Sequence, residues 1–190
     1  MKVDKHFSIL AVLLILSIFA HNAVAVPVGV LETEQTETFD IGDAFATVDC
    51  KVYYASGEYI YTYQITNSSS TGISFFSVGI SPGATVNSAG FDPAENVVSP
   101  AYWGAVGSPV QSVEALFVDT IDSDGLSSAV LWFTGTEGSI AGSGLLFGTS
   151  GGVPQYATGV LLAPMPEPAT IILLGTGGAV IAATRKRRLL

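Results

Sequence analysis

The sequence predicts an all-β protein, a single β-sandwich or jelly-roll-like domain, and three observations carry that prediction. Between residues 39 and 163, short runs rich in β-branched and aromatic residues are broken by Gly, Ser, Asn and Pro, the punctuation of strands and turns. No long stretch there carries the apolar period of a helix, and several runs alternate with period two. The breaks are spaced for roughly eight strands, which suits two packed sheets better than a helical solenoid or a doubly wound fold. No repeat of fixed period is evident, so a propeller or parallel β-helix ranks lower.

The clearest element is a hairpin. In "TVDCKVYY", residues 47–54, Val48, Cys50, Val52 and Tyr54 alternate with Asp49, Lys51 and Tyr53, so Cys50 is expected to be a buried, inert thiol. Ala55-Ser56-Gly57 makes the turn, and "EYIYTYQIT" returns with Tyr59, Tyr61, Tyr63 and Ile65 on one face, expected to pack inward. "NSSSTG" is a polar loop, after which residues 73–80 place Phe76, Val78 and Ile80 on one side of a strand. Residues 91–112 hold Pro93, Pro100 and Pro109 and read as a long connection, because proline cannot donate to a central ladder. "SVEALFVDT" and "SSAVLWFTG" read as a second hairpin about the turn at 121–125, with apolar residues on both faces as in a strand buried within a sandwich. The last two runs, "GSGLLFGTS" and "QYATGVLLA", are separated by Gly151-Gly152-Val153-Pro154.

The chain has 190 residues, 48% of them hydrophobic, enough for one domain with a real core. Residues 1–25 read as a signal peptide: Lys2 and Lys5 open it, an apolar stretch follows from Phe7 to Ala20, and Ala23-Val24-Ala25 supplies the cleavage site. Residues 26–163 are then the exported all-β domain and 164–190 a tail. Cleavage would remove His6 and His21, the only histidines. Between residues 26 and 164 a single lysine, Lys51, faces fourteen acids, a formal charge of −13. Such a surface repels a phosphate backbone, so nucleic acid is not an expected partner. Without imidazole, the usual nucleophile–base templates and histidine-ligated metals are also missing, and with one cysteine there is no disulfide within the chain. No catalytic residue is assigned and an enzyme is not expected.

Asp119, Asp122 and Asp124, before Gly125, form the best metal candidate, because calcium favours carboxylate and carbonyl oxygens converging from one loop. An EF-hand register started at Thr120 fits Asp122 and Asp124 but puts Leu131 where a bidentate Glu belongs. Asp-Ser-Asp-Gly between strands is also the composition of an ordinary turn, and the plain turn is the preferred reading. No cofactor other than calcium is suggested. Tyr and Trp residues could stack on sugar rings, although aromatic stripes at strand spacing are more often core. Asn67-Ser68-Ser69 matches a glycosylation acceptor, a match common by chance.

The tail carries the most specific signal. Pro166-Glu167-Pro168 precedes a sixteen-residue apolar segment, 169–184, followed by Arg185, Lys186, Arg187 and Arg188. As a helix that segment spans roughly 24 Å against a hydrocarbon core of about 30 Å, enough to cross a thinned bilayer. The basic cluster favours keeping its end in the cytoplasm while the signal peptide sends the acidic domain outward. The order of the three parts resembles the PEP-CTERM sorting signal of bacterial exported proteins. The resemblance implies that Pro166, Glu167 and Pro168 are recognised by an exosortase, a membrane-embedded processing enzyme, and that the protein belongs with exopolysaccharide and biofilm matrix. Pro168 also suits the first turn of a helix, and two prolines keep the preceding segment extended. Met165 stands where Val is frequent in that family, and Leu189-Leu190 follow the basic cluster.

The resemblance covers about the last twenty-five residues and bears on destination and processing, since sorting tails are modular. The expectation is an exported surface or matrix protein with a structural or adhesive role, held transiently in the inner membrane and then processed, in contact with exopolysaccharide. The alternatives are a carbohydrate- or calcium-binding sandwich and, below these, a two-carboxylate glycosidase, for which the sequence singles out no acid pair.

Overall fold

The computed structural model describes residues 25–164, apart from residues 95, 108, 109, 123 and 124. The signal peptide up to residue 24, the sorting motif Pro166, Glu167 and Pro168, the apolar segment, the cluster Arg185, Lys186, Arg187 and Arg188, and Asp124 lie outside the described residues. Every regular element among the described residues is a strand.

The strands form two sheets, confirming the all-β sandwich. Sheet A runs β1 (Val30–Ile41), β2 (Ala44–Ala55), β3 (Glu58–Asn67), β10 (Val130–Gly135) and β5 (Ser88–Asp92), with two short strands, β6 (Val97–Val98) and β9 (Ser127–Ser128), attached beside β3. Sheet B runs β12 (Val153–Pro164), β11 (Ser139–Ser150), β4 (Gly72–Gly79), β8 (Ser112–Ile121) and β7 (Tyr102–Val106). Neighbours pair antiparallel except for β6 on β9.

Turn chemistry sets the hairpin registers. Ser56 and Gly57 both have positive φ, 53° and 88°, the pair of left-handed residues that a two-residue hairpin turn needs to match strand twist. Gly151 and Gly152 do the same between β11 and β12, at 56° and 81°, so those two strands stay in register over their twelve residues each. Alternation then sorts the side chains. Val48, Cys50 and Val52 of β2 and Tyr61, Tyr63 and Ile65 of β3 are fully buried, as the pattern predicts, with Ala46 joining them. Tyr59 at the start of β3 is only partly buried and packs against the core's edge, while Phe76, Val78 and Ile80 also face the core.

Rings dominate the centre of that core. Tyr61 stacks on Phe133 at 4.9 Å between centroids, and Phe76 lies nearly parallel to Trp103 at 6.3 Å. Buried hydroxyl and indole groups need partners, and each finds one: Tyr61 Oη donates to Glu137 O (2.6 Å), Tyr63 Oη to Leu162 O (2.6 Å) and Trp103 Nε1 to Trp132 O (2.7 Å). The bonds from Tyr63 and Trp103 tie sheet A to sheet B.

Several sequence expectations change. Twelve strands form among the described residues where roughly eight are expected, and β1 starts at Val30, ahead of residue 39, where the sequence pattern places the first strand. The second hairpin does not form: β8 belongs to sheet B and β10 to sheet A, so the turn after β8 carries the chain across the sandwich. Both strands have apolar inner faces, and these meet across the core instead of along a ladder: Val113, Ala115 and Phe117 on one side, Leu131 and Phe133 on the other. Residues 91–112 are not a plain connection, since they end β5 and contain β6 and β7. The proline argument survives in weaker form, because β7, just after Pro100, is an edge strand of sheet B. Finally, Asn67, which the sequence pattern places at the start of the polar loop, is the last residue of β3 and fully buried, in keeping with the chance reading of its acceptor match. Its amide donates to Thr71 O and Ile121 O, both at 2.7 Å, while Oδ1 accepts from Ser69 N (3.0 Å) and Ser69 Oγ (2.8 Å). It staples the end of β3 to the polar loop and to the end of β8.

Candidate functional site

The antiparallel registers of sheet B place outward residues in rows that cross all five strands. One row is Tyr156, Phe147, Phe75, Leu116 and Tyr102, each paired with the next across the sheet. Their chain neighbours Ala157, Leu146, Phe76, Ala115 and Trp103 are buried, which fixes the row on the solvent side by the two-residue period. Tyr156 is 74% exposed, Leu116 50% and Tyr102 40%, while Phe75 and Phe147 are partly buried between them. Val118, 76% exposed, extends the apolar surface along β8. An apolar stripe running the full width of a sheet is a usual mark of an interaction surface.

Backbone detail sets how Tyr102 sits. A Cβ added to Gly104 would lie 2.9 Å from the Tyr102 hydroxyl and 3.2 Å from Cζ, so the ring lies back along its own strand over the bare glycine. The hydroxyl reaches Ala105 O at 3.4 Å. Gly104 therefore leaves room for the outer end of the ring against the strand, as glycines beside strand aromatics do.

Beside the stripe runs a hydroxyl-lined groove of about 380 Å³, bordered by Ser77, Gln111, Ser112, Ser143, Leu145 and Thr158 with Gly79 and Gly144 as its floor. A Cβ at Gly79 would collide with Ser143 Oγ, so the glycine keeps the groove open. Glu114 stands at its edge and accepts a hydrogen bond from Ser112 Oγ (2.7 Å). The combination of an apolar ridge and an adjacent line of hydroxyls can hold a ligand with apolar faces and polar edges.

The residues singled out by sequence lie elsewhere or apart. Asp119 is exposed on β8, and Asp122 just after it accepts from Thr120 Oγ1 at 2.6 Å. Among the described residues no group of three His, Cys, Asp or Glu side chains is gathered to hold a metal ion; Asp124 lies outside that set. Cys50 is buried, and desolvation pushes its thiol up to about 12, which suppresses the thiolate needed for reaction. Burial likewise raises the Tyr61 and Tyr63 phenols. Sheet A offers a second shallow hollow of about 300 Å³ beside Val26, Asp49, Lys51, Tyr53 and Gln64, where Lys51 lies 3.8 Å from Glu34.

The stripe was not found by sequence reasoning. Each member is visible there as the alternate of a core residue, but alternation within one strand does not say which outward residues line up across a sheet. Searches of protein-family models, of curated proteins and of solved structures each return no match to the chain. Its class therefore rests on its own architecture, a two-sheet β-sandwich with an aromatic outer face on one sheet.

Proposed function

We propose that the chain is an exported surface or extracellular-matrix protein with a structural or adhesive role, sorted through Pro166, Glu167 and Pro168 by an exosortase-type enzyme. The observation that carries this reading is the tripartite tail, Pro-Glu-Pro, apolar segment and basic cluster, beginning directly after the last strand ends at Pro164. The apolar segment and Arg185 to Arg188 would hold the motif at the outer boundary of the inner membrane until processing.

The geometry of the domain suits a tether at that point. Strands β1 and β12 lie side by side and run in opposite directions: Gln35 Nε2 donates to Val160 O (2.7 Å), Val160 N to Glu37 Oε1 (3.1 Å), and Gly42 faces Gln155. The start of β1 and the end of β12 therefore share one end of the sandwich. A membrane segment following Pro164 would leave the opposite end, with the turns at Gly42-Asp43 and Gly151-Gly152, facing away from the bilayer. The stripe on sheet B would stand on the flank of the tethered domain.

The test is to replace Pro166, Glu167 and Pro168 together by alanine in the producing cell and to follow the size of the chain and its fraction. The expected result is an unprocessed form retained in the membrane. Identical processing and location of variant and parent would remove the sorting assignment.

A further inference from the structure

We infer that the outer face of sheet B binds an extended, uncharged polysaccharide, laid across the strands along the Tyr156, Phe147, Phe75, Leu116 and Tyr102 row. The inference deepens the matrix reading by naming the partner's chemistry, and rests on it only for where the polymer is met.

Spacing comes first. The row crosses four strand-to-strand intervals, roughly 19 Å in all, so it offers a long track instead of a pocket. Rings and an aliphatic side chain recur along it at each strand, a repeat comparable with the advance per residue of an extended glycan. A pyranose presents an apolar C–H face and a rim of hydroxyls. The Tyr102 ring, folded back over Gly104, and the highly exposed Tyr156 can take the apolar faces at the two ends of the track. The groove alongside supplies short-range partners for the rim: Ser77 and Thr158 in the neighbouring row, then Ser112 and Ser143, with the Gln111 amide able to donate and accept.

Charge chooses among occupants. No cation lines the stripe or the groove, Glu114 stands at the groove's edge, and Asp119 lies exposed beside Val118. The domain around them carries fourteen acids against Lys51, so an anionic polymer or anionic lipid surface is repelled. A second copy of the chain fits poorly for the same reason: stacking two such faces would press two strongly negative domains together and desolvate Glu114 on each. A neutral polymer with apolar faces meets none of these penalties.

The experiment is affinity electrophoresis of the purified full chain through gels containing galactomannan, a mixed-linkage β-glucan or dextran, with alginate as the anionic comparison. The expected result is retardation by at least one neutral polymer and none by alginate. The double variant Tyr102→Ala/Tyr156→Ala should weaken that retention at least tenfold while keeping a cooperative unfolding transition, since Tyr156 is 74% and Tyr102 40% exposed. Tyr156→Ala alone should weaken it with little change in melting temperature. Ser77→Val should weaken it less. Retention by none of the three neutral polymers, retention by alginate alone, or equal retention of the double variant would overturn the inference. So would self-association that disappears in the double variant while glycan retention does not. Because the purified chain is used, these outcomes are independent of whether the Pro-Glu-Pro motif directs sorting in cells.

Discussion

The two outer faces of the sandwich are made by the same alternation, but their exposed rows differ. Sheet A is charged and hydrogen-bonded along β1 and β2, where Phe45 is an exposed exception and Trp132 continues the Lys51–Thr62 row, and sheet B is apolar across its middle. On sheet A the outward positions of β1 and β2 hold Glu34, Thr36, Asp49 and Lys51, joined by the Thr36 to Asp49 hydrogen bond (2.6 Å) and the Lys51 to Glu34 pair. On sheet B the corresponding middle row is Tyr156, Phe147, Phe75, Leu116 and Tyr102. Folding needs only the inner faces to be apolar, so a polar outer face is the default and an apolar one asks for a reason. The difference teaches that the same alternation can leave charged pairs exposed on one sheet and an apolar row exposed on the other.

The sharpest way to probe that division is within one strand, where adjacent phenylalanines point opposite ways. Phe76 is fully buried against Tyr63 and Trp103, and Phe76→Ala is expected to cost about 3–5 kcal/mol in denaturant unfolding. Phe75→Ala, on the outer row, is expected to cost less than half as much, because part of that side chain is already in water. Equal costs would mean that the outer row is structural and would break the contrast between the faces.

Next in size is the polar staple that joins the sheets at one end. Asn67→Ala leaves the Thr71 and Ile121 carbonyls without their amide donors inside the protein, a loss of about 3 kcal/mol at one to three per orphaned group. Asn67→Asp should be at least as damaging despite its matching shape, because it places a second oxygen against those carbonyls. Urea midpoints at constant slope would measure both.

A third effect appears only in alkali. The thiol of Cys50 and the phenols of Tyr61 and Tyr63 all have raised folded-state values, with burial the main cause. The unfolded chain therefore loses protons first, and the stability these neutral groups contribute is complete below the ordinary thiol value of 9.0 and falls as pH rises toward their folded values. Unfolding free energy should drop progressively above about pH 9, less steeply in Cys50→Ala. Before unfolding, a thiol reagent at neutral pH should leave Cys50 unmodified. The acid limb has the opposite sign: Asp43 is held below the ordinary carboxylate value by hydrogen bonds from the Ser70 hydroxyl and amide, so its contribution is lost as pH falls through that lowered value.

Much of this division was legible in the residues and part of it was not. Local signals worked: Ser56-Gly57 and Gly151-Gly152 dictated their hairpins, and period-two patterns put Tyr61, Tyr63, Cys50 and Phe76 inside. Signals that depend on which strand meets which failed. "SVEALFVDT" and "SSAVLWFTG" look like hairpin partners because both are apolar and a turn separates them, but the same pattern serves two strands facing each other across a core. Asn67 looked like a loop residue because its polarity is visible and its four buried hydrogen bonds are not. The candidate face was hidden for the same reason, since Phe75, Leu116 and Tyr156 come into one row only through register, whereas the reading proposed for the tail depends on linear order alone.

The smallest effect tests sheet A directly. Lys51 is the sole basic residue between residues 26 and 164, and it pairs with Glu34 at 3.8 Å with both side chains about half or more exposed, at 47% and 63%. An exposed pair at that distance is worth less than about 1 kcal/mol after screening and side-chain entropy. In this domain it also sits among carboxylates, so Lys51→Met removes the one cation that relieves their repulsion. The expected change is a loss within about 0.5 kcal/mol in moderate salt, somewhat larger at low ionic strength, where screening no longer masks the remaining acids. Retention on neutral glycans should be unchanged by Lys51→Met, because the side chain lies on the opposite outer face from Tyr102 and Tyr156. A variant that lost glycan retention while keeping its melting temperature would move the binding surface from sheet B to sheet A.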